Sequence, residues 1–179
     1  MTNIAICGAN GKMGKTIYNC VSARDNCKIV AGIDIFTQQY ADFPIVDSPE
    51  KLPVKPDVII DYSNPASLDG LLNYCLSTGT PVVFATTGYS EEQINKIKSA
   101  SQQIPVFFTF NMSLGINLLV QLAKKAASVL GEQFDIEIVE KHHNQKIDAP
   151  SGTAIMIANS INETLDNKYH YVYDRHSQR

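Results

Sequence analysis

Short apolar runs alternate with helical periodicities along the first two thirds of this chain. Residues 3–7, Asn-Ile-Ala-Ile-Cys, stop at Gly8 and predict a strand buried on both faces. Met13, Ile17 and Cys20 or Val21 then recur at helical spacing, so a helix follows. Lys28 to Asp34 predicts a second strand ending on a carboxylate. Residues 37–56 hold four of the eight prolines and predict an irregular connection with at most one short strand. Asp57 to Asp61 reads as a further strand. Asn64-Pro65 opens a helix whose inner face is Leu68, Leu71, Leu72 and Cys75, and Gly79 closes it. Pro81 to Ala85 is the next strand, and Ser90 with Gln93 forms a capping box for a helix carrying Ile94 and Ile97. Pro105 to Thr109 ends the series.

This alternation predicts an α/β fold, a doubly wound parallel sheet of the Rossmann type. The pattern changes at Asn111. Residues 112–130 read as one long helix, with Leu118, Leu119, Leu122, Ala126 and Val129 or Leu130 on its buried side and Gly131 past its end. Phe134 to Ile138 alternates apolar and acidic residues, which predicts a half-exposed strand of a separate, open mixed sheet. Two domains are therefore expected, 1–110 for a dinucleotide and a smaller α+β domain over 111–179.

Composition narrows the classes. The chain has 179 residues, 44% of them hydrophobic and 18% charged, with a net charge of −3, which is ordinary globular composition. No basic face is implied, so nucleic acid is not an expected partner. No apolar run approaches the ~20 residues that span a bilayer. The start reads as a first strand rather than a signal segment, so a cytoplasmic location is expected. Cysteines 7, 20, 27 and 75 lie in apolar contexts without zinc-ligand spacing, and buried free thiols are expected.

The first strand, glycine turn, helix, second strand and terminal acid make up the opening of a dinucleotide-binding unit. Gly8 permits a tight turn, Gly11 lets backbone amides approach a pyrophosphate, and Gly14 allows helix and strand to pack closely. Asp34 is placed to accept hydrogen bonds from both hydroxyls of an adenosine ribose. The spacing is G-x-x-G-x-x-G, so the motif draws its weight from the strand and helix around it.

The second chemical cluster is Glu140-Lys-His-His-Asn-Gln-Lys-Ile-Asp-Ala-Pro-Ser-Gly-Thr153. Ser151-Gly152-Thr153 opens a helix with apolar face Ala154, Ile157 or Ala158, Ile161 and Leu165. Its first amides form an anion site, to which the Ser151 and Thr153 hydroxyls and the Lys146 ammonium add. His142 and His143 are adjacent, so on a continuing strand they would face opposite sides. A Ser-Gly-Thr start alone is usually just a cap, and a His-His pair alone is usually exposed and idle. No third ligand supports a metal site. Together, the imidazoles, the ammonium and the helix start favour a carboxylate-bearing substrate and proton delivery near neutral pH.

That stretch resembles the signature E-x-H-H-x-x-K-x-D-A-P-S-G-T-A of the bacterial dihydrodipicolinate reductases, now described as 4-hydroxy-tetrahydrodipicolinate reductases. The Gly8 to Gly14 loop, Asp61-Tyr-Ser-Asn-Pro65, Thr86-Thr-Gly88 and Asn111-Met-Ser-Leu-Gly115 are similar to other motifs of that family, in the same order. The resemblance implies a nicotinamide-dependent reduction of a cyclic dicarboxylate in the diaminopimelate route to lysine, by a homotetramer. It implies that His142 handles protons, that Lys146 is the proton donor, and that His143, Ser151, Gly152 and Thr153 bind substrate. Gly8, Ala9, Asn10, Gly11, Lys12, Met13, Asp34, Ala85, Thr86, Thr87, Thr109, Phe110, Asn111 and Met112 would line the cofactor.

Three departures stand out. Ala85 replaces a usual glycine. Ile35 and Phe36 follow Asp34 where a basic residue would serve a 2′-phosphate, so NADH is expected in preference to NADPH. Family members also continue past Arg179 with further strands and a helix, so the second domain is expected to be truncated. One rival is another nicotinamide oxidoreductase, which explains the glycine loop but not residues 140–153. A second is an NADH-binding sensor or inactive truncated paralogue, which would bind NADH without turnover.

Overall fold

The structure, a computed structural model, describes residues 1–109, 111–144, 146 and 149–173. The chain divides into two compact units, Met1–Thr109 and Phe110–Arg179.

The first unit is built on six parallel strands: β1 (Thr2–Cys7), β2 (Cys27–Ile33), β3 (Ile45–Val46), β4 (Val58–Asp61), β5 (Val82–Phe84) and β6 (Val106–Phe108). Their order is β3-β2-β1-β4-β5-β6. Helices α1 (Lys12–Ser22), α2 (Leu68–Thr78) and α3 (Glu91–Ala100) make the crossovers. The strand order reverses between β1 and β4, which pair from Ile4 with Val58 to Cys7 with Asp61. The carboxyl ends of strands at such a reversal form the crevice where open α/β sheets take ligands.

The local rules of the chain account for the elements. Asn64 accepts from the Ala66 amide and starts a 3-10 turn, Pro65–Ser67, that leads into α2. Gly79 ends α2 in the left-handed region at φ 65°. Ser90 and Gln93 form both bonds of the capping box that starts α3. One core is Ala5, Ile59, Leu68, Leu71, Cys75, Val82, Phe84 and Ile97, and a smaller one is Ile6, Ala9, Phe43 and Ile45. In α1 the inner face is Gly14 and Val21, with Ile17 and Tyr18 packed against the smaller core. Met13 lies outside that face. Cys7 and Cys75 are buried as expected, but Cys20 is exposed and Cys27 only half-buried. Cys20 precedes Val21, and the helix turns Val21 inward instead.

In the second unit, α4 (Leu114–Leu130) packs against α5 (Gly152–Thr164). Ser113 caps α4 through the Ile116 amide, so the helix starts two residues later than its periodicity predicts. The expected inner face of α4 is corrected. Val120 and Ala127 are buried, whereas Leu118, Leu119, Leu122, Val129 and Leu130 are exposed, as is Ala126. The helix is apolar on more than one side. Val120 and Ala127, seven residues apart, mark the side that is buried. The strand expected at Phe134 to Ile138 does not form among the described residues. A strand needs a continuous ladder of N–H and C=O bonds to a neighbour, and residues 134–138 carry no strand assignment.

Candidate functional site

In the first unit the glycine loop is held from several sides. Gly8 has φ +81°, and a Cβ there would lie 2.5 Å from the Tyr62 carbonyl oxygen. A Cβ on Gly14 would lie 2.3 Å from the Gly8 carbonyl oxygen. Both positions demand glycine. The Gly8 and Ala9 amides donate to the Ile33 carbonyl, at 2.8 and 3.3 Å. The Tyr40 hydroxyl donates to the Ala9 carbonyl. Gly11 donates to the Gly8 carbonyl at 3.1 Å, so its own amide is engaged. No side chain among the described residues caps α1. The amides of Lys12, Met13 and Gly14 have no acceptor among the described residues. They are the open donors for an anion.

Asp34 stands just beyond β2. Its Oδ2 accepts the Asn10 amide at 2.8 Å and its Oδ1 accepts the Phe36 amide at 3.0 Å. The Asn10 carboxamide in turn donates to the Phe36 and Gln38 carbonyls. The glycine loop and the acid are thus one hydrogen-bonded assembly, and Ile35 and Phe36 beside it are strongly exposed. A cradle that a Cβ would fill, open amides at a helix start and a fixed carboxylate fit a dinucleotide.

Asp61, at the carboxyl end of β4, is fully buried. It accepts from the Ser63 amide and hydroxyl, from Thr86 Oγ1 at 2.8 Å and from the Tyr89 hydroxyl at 2.9 Å. The expected cofactor residue Thr86 is therefore buried, with its hydroxyl committed to Asp61. Thr87 is exposed, and the Ala85 amide donates to the Asp61 carbonyl. Burial, and then the nearby Asp61, pushes the Cys7 thiol up to about 12 and holds the Tyr89 phenol above its ordinary range. Neither group supplies a proton near neutral pH.

In the second unit, Ser151 caps α5 through the Ala154 amide at 3.1 Å and is buried. Its own amide donates to Glu140 Oε1 at 2.8 Å. Glu140 Oε2 lies 2.8 Å from His142 Nε2. Hydrogen bonds from Ser151, then the contact with His142, lower the Glu140 carboxyl to about 2. The amides of Gly152 and Thr153 are left without an acceptor among the described residues. Thr153 Oγ1 accepts from Asn111 Nδ2 at 3.0 Å. Lys146 donates its amide to the His143 carbonyl at 3.3 Å.

The sequence as a whole decides the family. The family described as dihydrodipicolinate reductase, N-terminus, matches residues 2–112, and the corresponding C-terminus matches residues 115–178. This chain belongs to the dihydrodipicolinate reductase family. It is 44% identical to the 4-hydroxy-tetrahydrodipicolinate reductase of Clostridium tetani, covering all of this chain and 71% of that protein. The reductase of Caldanaerobacter subterraneus is 47% identical, over 99% of this chain and 70% of that protein. Among solved structures, a dipicolinate-bound dihydrodipicolinate reductase from Paenisporosarcina is similar at a TM-score of 0.75 and 29% identity. That match covers 99% of this chain and 72% of the other. Against the first relatives the chain spans 66 to 71% of their length.

Among the expected site residues, the Gly8 to Met13 loop and Asp34 come together in the first unit through the Asn10 amide. Asn111, expected beside the cofactor, donates to Thr153, expected beside the substrate. His142 is joined to the start of α5 through Glu140. Thr109 follows β6 and donates its amide to the Phe84 carbonyl at 3.3 Å, while Met112 is exposed. Phe110 lies outside the described residues. The sequence offers Glu140 and Asp61 only as the first residues of family motifs, with no role, and does not mark Tyr89 at all. A carboxylate ending an apolar strand, as Asp61 does, is the signal that points to a buried hydrogen-bonding role.

Proposed function

We propose that this protein reduces 4-hydroxy-tetrahydrodipicolinate to tetrahydrodipicolinate with NAD(P)H, in the diaminopimelate route to lysine. The ring takes up a hydride and a proton and loses water. What carries the reading is the loop from Glu140 to Thr153 in a chain of this family. There a proton-handling imidazole and the open amides of a helix start belong to one hydrogen-bonded unit.

When bound, the reduced nicotinamide supplies the hydride. The first unit holds the cofactor, with the amides of Lys12, Met13 and Gly14 on the pyrophosphate and Asp34 on the adenosine ribose. The second unit holds the substrate. Its carboxylates lie on the amides of Gly152 and Thr153, with His143 adding a donor. Lys146 Nζ gives the proton and His142 handles proton exchange. Ser151 serves this site as the cap that keeps the helix start in place.

NADH is the preferred cofactor in this reading. Asp34 is fixed by two amides and repels a 2′-phosphate, while exposed Ile35 and Phe36 offer no positive charge to offset it. The working form is a cytoplasmic homotetramer. The apolar residues left exposed on α4 and at Phe134, Ile136 and Ile138 support burial of that surface in the assembled enzyme. The test is to supply the condensation product of pyruvate and aspartate semialdehyde and follow NADH oxidation. Turnover is expected; binding of NADH without turnover would reject the reading.

A further inference from the structure

Glu140 has no role among those the family resemblance assigns, yet both its carboxylate oxygens are engaged. Oε1 takes the Ser151 amide and Oε2 faces His142 Nε2, each at 2.8 Å. An ionised carboxylate only accepts hydrogen bonds. The contact with His142 therefore requires the proton on Nε2, which leaves the lone pair of the neutral imidazole on Nδ1.

We infer that Glu140 is a positioning residue for His142, holding Nε2 as a donor and leaving Nδ1 as the nitrogen that takes up and releases protons. The same carboxylate registers the ring against the start of α5, through the amide of the residue that caps it. One side chain thus sets both the tautomer of the proton-handling group and its place beside Gly152 and Thr153. Lys141, His143 and Lys146 are the other titratable groups described in this loop, and the first turn of α5 carries no acidic residue. The inference rests on the reductase reading of this loop for its catalytic meaning, but the hydrogen-bond pattern does not.

The test is nitrogen NMR of the imidazoles in the full chain, with His142→Gln used to assign the His142 signals. In the wild-type protein the neutral His142 ring is expected as the Nε2–H tautomer. Glu140→Gln is expected to shift the population toward Nδ1–H, because a carboxamide can donate as well as accept. The glutamine keeps an acceptor for the Ser151 amide, so α5 remains capped. Glu140→Asp, with the charge on a shorter stem, is expected to fall between the two. An Nδ1–H ring in the wild-type protein, or unchanged populations in Glu140→Gln, overturns the assignment. In turnover, Glu140→Gln is expected to lose roughly tenfold in kcat, less than the ~10²–10⁴-fold of a proton-transferring group itself, with the KM for NADH unchanged. Absence of turnover in the wild-type protein would strike the proposed function and leave the tautomer result to decide the role of Glu140.

Discussion

The Tyr89 hydroxyl donates to the Asp61 carboxylate at 2.9 Å, across 28 residues of chain, from the loop after β5 to the carboxyl end of β4. The ring is itself packed edge-on against Phe84 and Phe108, at centroid distances of 6.3 and 5.9 Å. Tyr89→Phe keeps this packing and removes one donor, leaving Asp61 with Thr86 and Ser63. A loss of about 1 kcal/mol is expected in denaturant unfolding. Asp61→Ala strands the Thr86 and Tyr89 hydroxyls in the interior and is expected to cost more, about 1–3 kcal/mol for each donor left unpaired. Equal stability of the two variants would mean that Asp61 is not the hub described here.

Gly14 supports a steric prediction. Its missing Cβ would meet two backbone oxygens, at 2.3 Å on Gly8 and 2.6 Å on Ala9. Neither can move as a side-chain tip would. Gly14→Ala should therefore displace α1 from β1 and weaken NADH binding, with a stability loss of about 1–3 kcal/mol. Gly70→Ala, where a Cβ meets nothing within 4 Å, is the control and should leave both quantities intact or slightly improved. Calorimetric titration with NADH and unfolding curves separate the two outcomes.

Much of the first unit was legible because each of its elements obeys a local rule. Buried parallel strands are short apolar runs, and Asn64, Gly79 and Ser90 with Gln93 mark their helix ends in residue type alone. The second unit was less legible for a physical reason. Helix α4 is apolar on more than one side, so periodicity does not tell which side is buried and turns Leu118 and Leu122 inward. At Phe134 to Ile138 the alternation is real, but a strand depends on a partner that the pattern itself does not contain. In the site, residue types announced His142, Lys146 and the Ser151 start. They could not show that Glu140 would join them, or that Thr86 would turn its hydroxyl inward to Asp61.

The corrected face of α4 gives its own prediction. Leu118 is 58% exposed and Val120 8%. Leu118→Ser should change stability by no more than about 0.5 kcal/mol, as for surface positions generally. Val120→Ala should cost at least about 1 kcal/mol by opening a space at a buried position. The reverse ranking in thermal unfolding would restore the inner face expected from periodicity.

Glu140 links stability to acid pH. Its carboxyl falls from an ordinary 4.5 to about 2 in the folded chain, through Ser151 first and then His142. A depressed carboxyl stabilises the folded form above its unfolded pKa and loses that contribution as pH drops through the folded value. The contribution should therefore be complete above about pH 4.5 and disappear toward pH 2. Glu140→Gln should flatten this part of the stability profile while leaving the neutral region sloped as before. Identical acid profiles for the two proteins would count against the Ser151 and His142 contacts.

Cofactor choice can be moved if Asp34 and its neighbours set it. Ile35→Arg places a cation beside the ribose acid and should raise the preference for NADPH by about tenfold, equivalent to roughly 1.4 kcal/mol. Steady-state kinetics with both cofactors check this. Comparable kcat/KM for NADH and NADPH in the wild-type protein would contradict the preference itself.

The central claim is that the second unit holds a cyclic dicarboxylate and delivers the proton that accompanies hydride. Its most direct test is turnover of the pyruvate and aspartate semialdehyde condensation product by His142→Gln and Lys146→Ala, with NADH affinity measured alongside. A loss of turnover of about a hundredfold or more is expected in each, with NADH affinity retained. Turnover at the wild-type rate in both variants would contradict it.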